Sequence, residues 1–187
     1  NAAVLFEPLV AVAAAHGLRT VLHSRPGYAG SSPQPGRSVA AVASDVAALL
    51  DDLGAEQFVT LGWSGGGPHA LACAALLPGR CLAAASIAGV APYKAQGADG
   101  FEFLSGMGAE NLEEFGAAAA GEAELTAYLQ GAAAGLAEVQ PAQVVAALGD
   151  LLSDVDRKAL TGAFADFLAA SFRAAVSTGI AGWRDDD

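Results

Sequence analysis

Apolar residues recur at helical spacing near the start of the chain, form short unbroken runs through its first half, and return to helical spacing afterwards. Val4, Leu5, Leu9 and Val12 predict a helix that closes at His16-Gly17. Leu18 to His23 reads as a short buried strand, followed by the turn-rich loop Ser24 to Pro33. Val39, Val42, Val46, Leu49, Leu50 and Leu53 repeat at three and four, with Ser38 as N-cap and Gly54 just past the end. Phe58 to Leu61 predicts a second strand, and Leu71, Ala75 and Leu76 a helix stopped by Pro78-Gly79. Cys81 to about Gly89 is apolar at nearly every position, as a parallel strand buried on both faces should be. The order αβαβαβ predicts an α/β fold of parallel strands with flanking helices.

The pattern changes after Ala91-Pro92-Tyr93. From Asp99 onwards every periodic segment is helical, which predicts residues 1–98 as an α/β core and 99–187 as a helical cap or lid. Leu160, Phe164, Phe167, Leu168 and Phe172 share one helix face and read as core. The repeated Glu between 102 and 124 reads as a solvated face.

Composition narrows the class. A chain of 187 residues, 53% hydrophobic and 16% charged, is long enough for a sizeable interior and too apolar for disorder. A net charge of −11 with 9 scattered Lys and Arg argues against nucleic-acid or anionic-membrane partners. Cys73 and Cys81 lie in apolar segments and read as buried free thiols in a reducing compartment. With no membrane-length apolar run and no signal-peptide pattern, the expected location is the cytoplasm. The chain opens on Asn1 inside a helical pattern and ends Trp183-Arg184-Asp185-Asp186-Asp187 without a closing element, so both ends read as cut.

The chemistry concentrates in Gly62-Trp63-Ser64-Gly65-Gly66-Gly67-Pro68-His69, where an apolar strand runs into a G-x-S-x-G turn and a helix. A serine on such a turn has a strained backbone, so small residues are expected two positions before and after it, at Gly62 and Gly66. The Gly65 N–H, beside the positive end of the helix, suits a developing oxyanion. Two other readings compete: Ser64 as a simple N-cap, and Gly65 to Ala70 as a G-x-G-x-x-A dinucleotide loop. The second lacks its acidic partner, since the first Asp or Glu downstream is Asp99. A P-loop is excluded because no Gly-Lys-Ser/Thr follows any glycine run.

Taken together, these residues resemble the α/β-hydrolase superfamily, in particular serine-nucleophile members bearing a helical cap. Ser24-Arg25-Pro26-Gly27-Tyr28-Ala29-Gly30-Ser31 is similar to that family's Asp-Arg-Pro-Gly-x-Gly-x-Ser loop, with Ser24 in place of Asp and Ala29 in place of the second Gly. The resemblance implies a partial α/β-hydrolase fold, Ser64 as nucleophile, Gly65 as oxyanion donor and Trp63 as a pocket-lining residue. It also implies that the first strands, with a His-Gly loop, and the last strands, with the triad acid and histidine, lie outside this stretch. The family's strand order leaves a slot between strand 18–23 and the elbow strand, which a complementing segment or a second copy would fill.

None of the three histidines present is expected to replace the triad base. His69, five residues along the helix from Ser64, is rotated by about 140° and displaced by about 7 Å. His23 lies about 10 Å away if one strand separates the two. His16 reads as a cation near a helix C-terminus. The expected function is hydrolysis of carboxylic esters or related acyl compounds, with a small acyl substrate, no cofactor and no metal. The alternative is a non-catalytic protein on the same scaffold that binds a small apolar ligand.

Overall fold

The computed structural model describes residues 1–93, 103–147 and 153–187. The chain divides into two compact units. One comprises residues 1–34, 106–185 and 187, and the other residues 35–105 with Asp186. The N-terminal segment thus clusters with the later helices, whereas its alternation with strands suggested the α/β part. The expected 98/99 boundary lies outside the described residues.

The second unit contains a βαβ motif. A 3-10 turn, Val39–Ala41, leads into helix α2 (Val42–Asp52), after helix α1 (Glu7–Ala15) of the other unit. Ser38 has the extended backbone of an N-cap, but its side chain makes no capping hydrogen bond. Gly54 sits at φ +63 beyond the helix, and the Ala55 N–H donates to the Leu50 carbonyl at 2.8 Å. That is the left-handed glycine stop expected there. Strand β1 (Phe58–Trp63), a 3-10 turn (Ser64–Gly66), helix α3 (Gly67–Leu76) and strand β2 (Cys81–Ile87) follow. The two strands pair in parallel, with Thr60 opposite Ala84, Gly62 opposite Ser86 and Trp63 opposite Ile87.

Val42, Ala43, Leu50, Ala70 and Cys73 form this unit's buried helical surface. The two-sided burial expected of the last strand is not found: β2 is mostly exposed, with Leu82 at 64% and Ile87 at 49%. A parallel strand is covered on both faces only where helices pack on both faces of its sheet, and among the described residues this sheet has two strands.

In the first unit, α1 carries Pro8 in its first turn, where the missing N–H costs nothing. Gly17, at φ +73, ends it, and the Leu18 N–H reaches back to the Ala13 carbonyl at 2.9 Å. Leu18 to His23 forms no strand. Strand-forming composition yields a strand only where a neighbour supplies the ladder, and this run has none among the described residues. Helices α4 (Ala109–Ala120), α5 (Glu122–Leu136), α6 (Pro141–Ala147), α7 (Asp154–Ala159), α8 (Ala163–Val176) and α9 (Ala181–Asp186, whose last residue groups with the second unit) follow, all helical as the pattern required.

Val139, Val144, Leu160, Leu168 and Ala169 make the first unit's core, with Phe164, Phe167 and Phe172 packed against it. The five residues expected on one helix face are therefore core, but only Phe164, Phe167, Leu168 and Phe172 lie on α8; Leu160 joins them from beyond the end of α7, because the chain breaks at Leu160–Gly162. The Phe6 ring lies 5.4 Å from that of Phe164 and 5.1 Å from that of Phe167. Ser153 caps α7: its Oγ accepts from the Asp156 N–H at 3.2 Å and donates to the Asp156 carboxylate at 2.7 Å. The Trp183 indole N–H donates to Glu114 Oε1 at 2.6 Å.

Arg80, just before β2, fastens the entry to both strands of the second unit. Its Nη2 donates to the Ala55 carbonyl at 2.7 Å, its Nε to the Glu56 carbonyl at 3.2 Å, and its Nη1 to Asp51 Oδ1 at 2.6 Å. The Asp51 side chain is largely solvated, so the ion pair itself contributes little. Arg80→Ala is expected to lower stability by about 1–3 kcal/mol through the lost carbonyl bonds, and Asp51→Ala by less than about 1 kcal/mol. Urea unfolding of the two variants checks the difference.

Candidate active site

The turn between β1 and α3 reverses the chain within three residues. Trp63 is extended, at φ −112 and ψ 140; Ser64 is left-handed, at φ +51; Gly66 and Gly67 are already helical, at φ −79 and −58. An L-residue held in the left-handed region costs about 1–3 kcal/mol, which the surrounding contacts must offset. An N-cap serine has extended backbone instead, and the 3-10 turn has no side-chain cap. The N-cap reading therefore does not describe Ser64.

Crowding at Gly62 accompanies this turn. A Cβ there would overlap the Gly66 carbonyl and lie 2.8 Å from the Gly67 nitrogen. Gly66 itself is different: a Cβ on it meets no heavy atom within 4 Å. The second crowded glycine is Gly67, where a Cβ would collide with Ser86 Oγ and approach the Gly89 Cα to 2.8 Å. Sequence reasoning assigned the close approach to Gly66 and missed Gly67. The three consecutive glycines 65–67 were the available signal, since the motif alone calls for one of them, Gly66.

Gly65 occupies the centre of the 3-10 turn, at the N-terminal side of α3. The first N–H groups of a helical run have no carbonyl partner behind them, and the dipole of α3 adds partial positive charge there. Trp63 ends β1 and is 40% exposed. An open groove lined by Leu50, Asp51, Gly54, Ala55, Glu56 and Arg80 lies by the entry to β1 and β2, the opposite end of the strands from Ser64.

The His69 ring lies against the turn. Its Nδ1 is 2.9 Å from the Gly65 carbonyl oxygen, which can only accept, so Nδ1 carries the proton in that bond. Nε2 is 3.7 Å from the Asp186 carboxylate, whose Oδ1 also accepts from Arg37 Nη1 at 2.7 Å. All three belong to the second unit, whereas His16 and His23 belong to the first. Among the described residues, no group of three or more His, Cys, Asp or Glu side chains could hold a metal ion. No helix there is long and apolar enough to cross a membrane.

The alpha/beta hydrolase fold model matches residues 2–150, most of the sequence. The chain belongs to the alpha/beta hydrolase fold family. Among solved structures it is similar to the alpha/beta hydrolase fold protein from Nakamurella multipartita, with 27% identity and a TM-score of 0.56 over 95% of this chain. It spans 60% of that structure's length. Comparison with curated proteins gave no match.

Two outcomes follow from the geometry of this family member. Gly62→Ala is expected to cost about 3 kcal/mol or more, because the collision is with backbone. Gly66→Ala, at an ordinary φ and facing open space, is expected to be neutral or to stabilise by up to about 1 kcal/mol. Thermal unfolding of the pair distinguishes them. Burial, and secondarily Cys81, pushes the Cys73 thiol above the ordinary range, so the folded chain keeps a proton that the unfolded chain releases. Stability from this group is intact below the ordinary thiol value and is lost as pH rises beyond it. A maleimide at neutral pH is expected to label half-exposed Cys81 before buried Cys73, read by peptide mass mapping.

Proposed function

We propose that the protein is a serine hydrolase acting on carboxylic esters or related acyl compounds, with Ser64 as nucleophile. The left-handed backbone of Ser64, between β1 and the turn into α3, carries this reading. Ser64 Oγ attacks the acyl carbonyl while a histidine takes its proton. The Gly65 N–H stabilises the tetrahedral oxyanion, and the alcohol leaves with the proton returned by the histidine. Water then attacks the acyl-serine by the same route and frees the acid. Trp63 lines the substrate pocket, and no cofactor takes part.

The triad acid and histidine come from sequence outside this stretch. The length of the Nakamurella relative supports this, as does the engagement of His69 Nδ1 with a backbone carbonyl. The exposed apolar side chains Val59, Leu61, Leu82 and Ile87 support a complementing segment, or a second copy, beside these strands. The two free cysteines support a reducing, cytoplasmic setting.

A fluorophosphonate probe tests the chemistry. The full-length protein is expected to be labelled at Ser64, and Ser64→Ala to lower ester turnover by about 10³-fold or more. Absence of labelling together with unchanged binding of an apolar ligand would favour the non-catalytic binding protein.

A further inference from the structure

We propose that Ser86 is a positioning residue for Ser64, its hydroxyl setting the distance at which α3 begins above the sheet. This rests on Ser64 being the nucleophile. Ser86 lies on β2 directly opposite Gly62. Its Oγ fills the hollow between Gly67 and Gly89, since a Cβ built on either glycine overlaps that oxygen. The two backbones close around it: a Cβ on Gly67 would come within 2.8 Å of the Gly89 Cα, and one on Gly89 within 3.3 Å of the Gly67 Cα.

The backbone after β2 is shaped for this closure. Ala88 is left-handed, at φ +47, just as Ser64 is left-handed at φ +51 after β1. The preceding residues, Trp63 and Ile87, are register partners, so both strands break at the same level. Each break is at a non-glycine residue and carries its own conformational cost. The break at Ala88 is followed at once by Gly89, which packs over Ser86.

The start of α3 is therefore mounted at two adjacent points. Gly62 of β1 fits under the Gly66 carbonyl, and Ser86 of β2 fits under Gly67. The two supports are themselves paired across the strands, so a change in either tilts the turn carrying Ser64. Alanine at 86 leaves the hollow unfilled, and a side chain at 89 forces the hydroxyl out. A displacement approaching 1 Å at a nucleophile is enough to cost about 10²-fold in rate.

The test uses the full-length protein with Ser86→Ala, Gly89→Ala and the double variant. Thermal stability and fluorophosphonate labelling of Ser64 are read together, the labelling separated into its limiting rate and its half-saturating concentration. Gly89→Ala is expected to lower the limiting rate at least tenfold and to lower Tm. Adding Ser86→Ala should restore most of both, because the nearest remaining atoms, at 3.3 and 3.6 Å, lie outside severe overlap. Ser86→Ala alone should lower the limiting rate several-fold with the half-saturating concentration unchanged. Gly67→Ala should not be rescued by Ser86→Ala, since the Gly89 backbone still blocks it.

Labelling rates untouched by Ser86→Ala and Gly89→Ala, or a double variant no better than Gly89→Ala, would overturn the role of Ser86 and leave Ser64 standing as nucleophile. An unsubstituted protein that is not labelled at Ser64 would overturn the nucleophile, and the positioning role with it.

Discussion

The overlap that any Cβ on Gly62 would make with the Gly66 carbonyl governs the geometry of this protein's candidate site. It allows the chain to fold back on itself directly after a strand, and that fold-back requires a left-handed residue between the two glycines. Ser64 occupies that place although it is not glycine, at a conformational cost that a merely structural turn could avoid. The packing of α3 on β1 and β2 compensates for it, and the buried helical residues Ala70 and Cys73 are part of that packing.

Much of this was legible in the sequence because local rules and long-range packing agreed. The strand beginning at Phe58, the helix ending before Pro78 and the glycine stops at Gly17 and Gly54 are set by residues within a few positions of each other. Phe164, Phe167, Leu168 and Phe172 are core for the same reason, since their spacing selects one face of α8, whereas Leu160 reaches that core from beyond the end of α7. The strand expected at Leu18 to His23 failed because a strand is a property of two segments, and composition reports on one. The expected burial of β2 on both faces overreached for the same reason. An apolar run records what a chain can bury, and the covering elements decide what it does bury.

Within the site, the motif located the turn between β1 and α3 but misplaced one of its crowded glycines. G-x-S-x-G spacing describes the turn as an isolated unit, for which Gly66 is the natural second small residue. The crowding at Gly67 comes from β2, nineteen residues further on at Ser86, and no local pattern encodes it. The unusual feature visible beforehand was Gly67, a glycine the motif does not call for. Its reason, a hydroxyl on the neighbouring strand and a second left-handed break at Ala88, exists only once the strands are paired.

The two tryptophans of this chain are divided between its two units: Trp63 ends β1, half exposed, and Trp183 donates its indole N–H to Glu114. Each unit thus holds one indole in a distinct environment, one partly wet and one hydrogen-bonded to a carboxylate. Emission from a chain retaining a single indole would follow the melting of one unit without an added dye, and would reveal whether the helical part and the strand-bearing part lose their structure as one cooperative body or in succession.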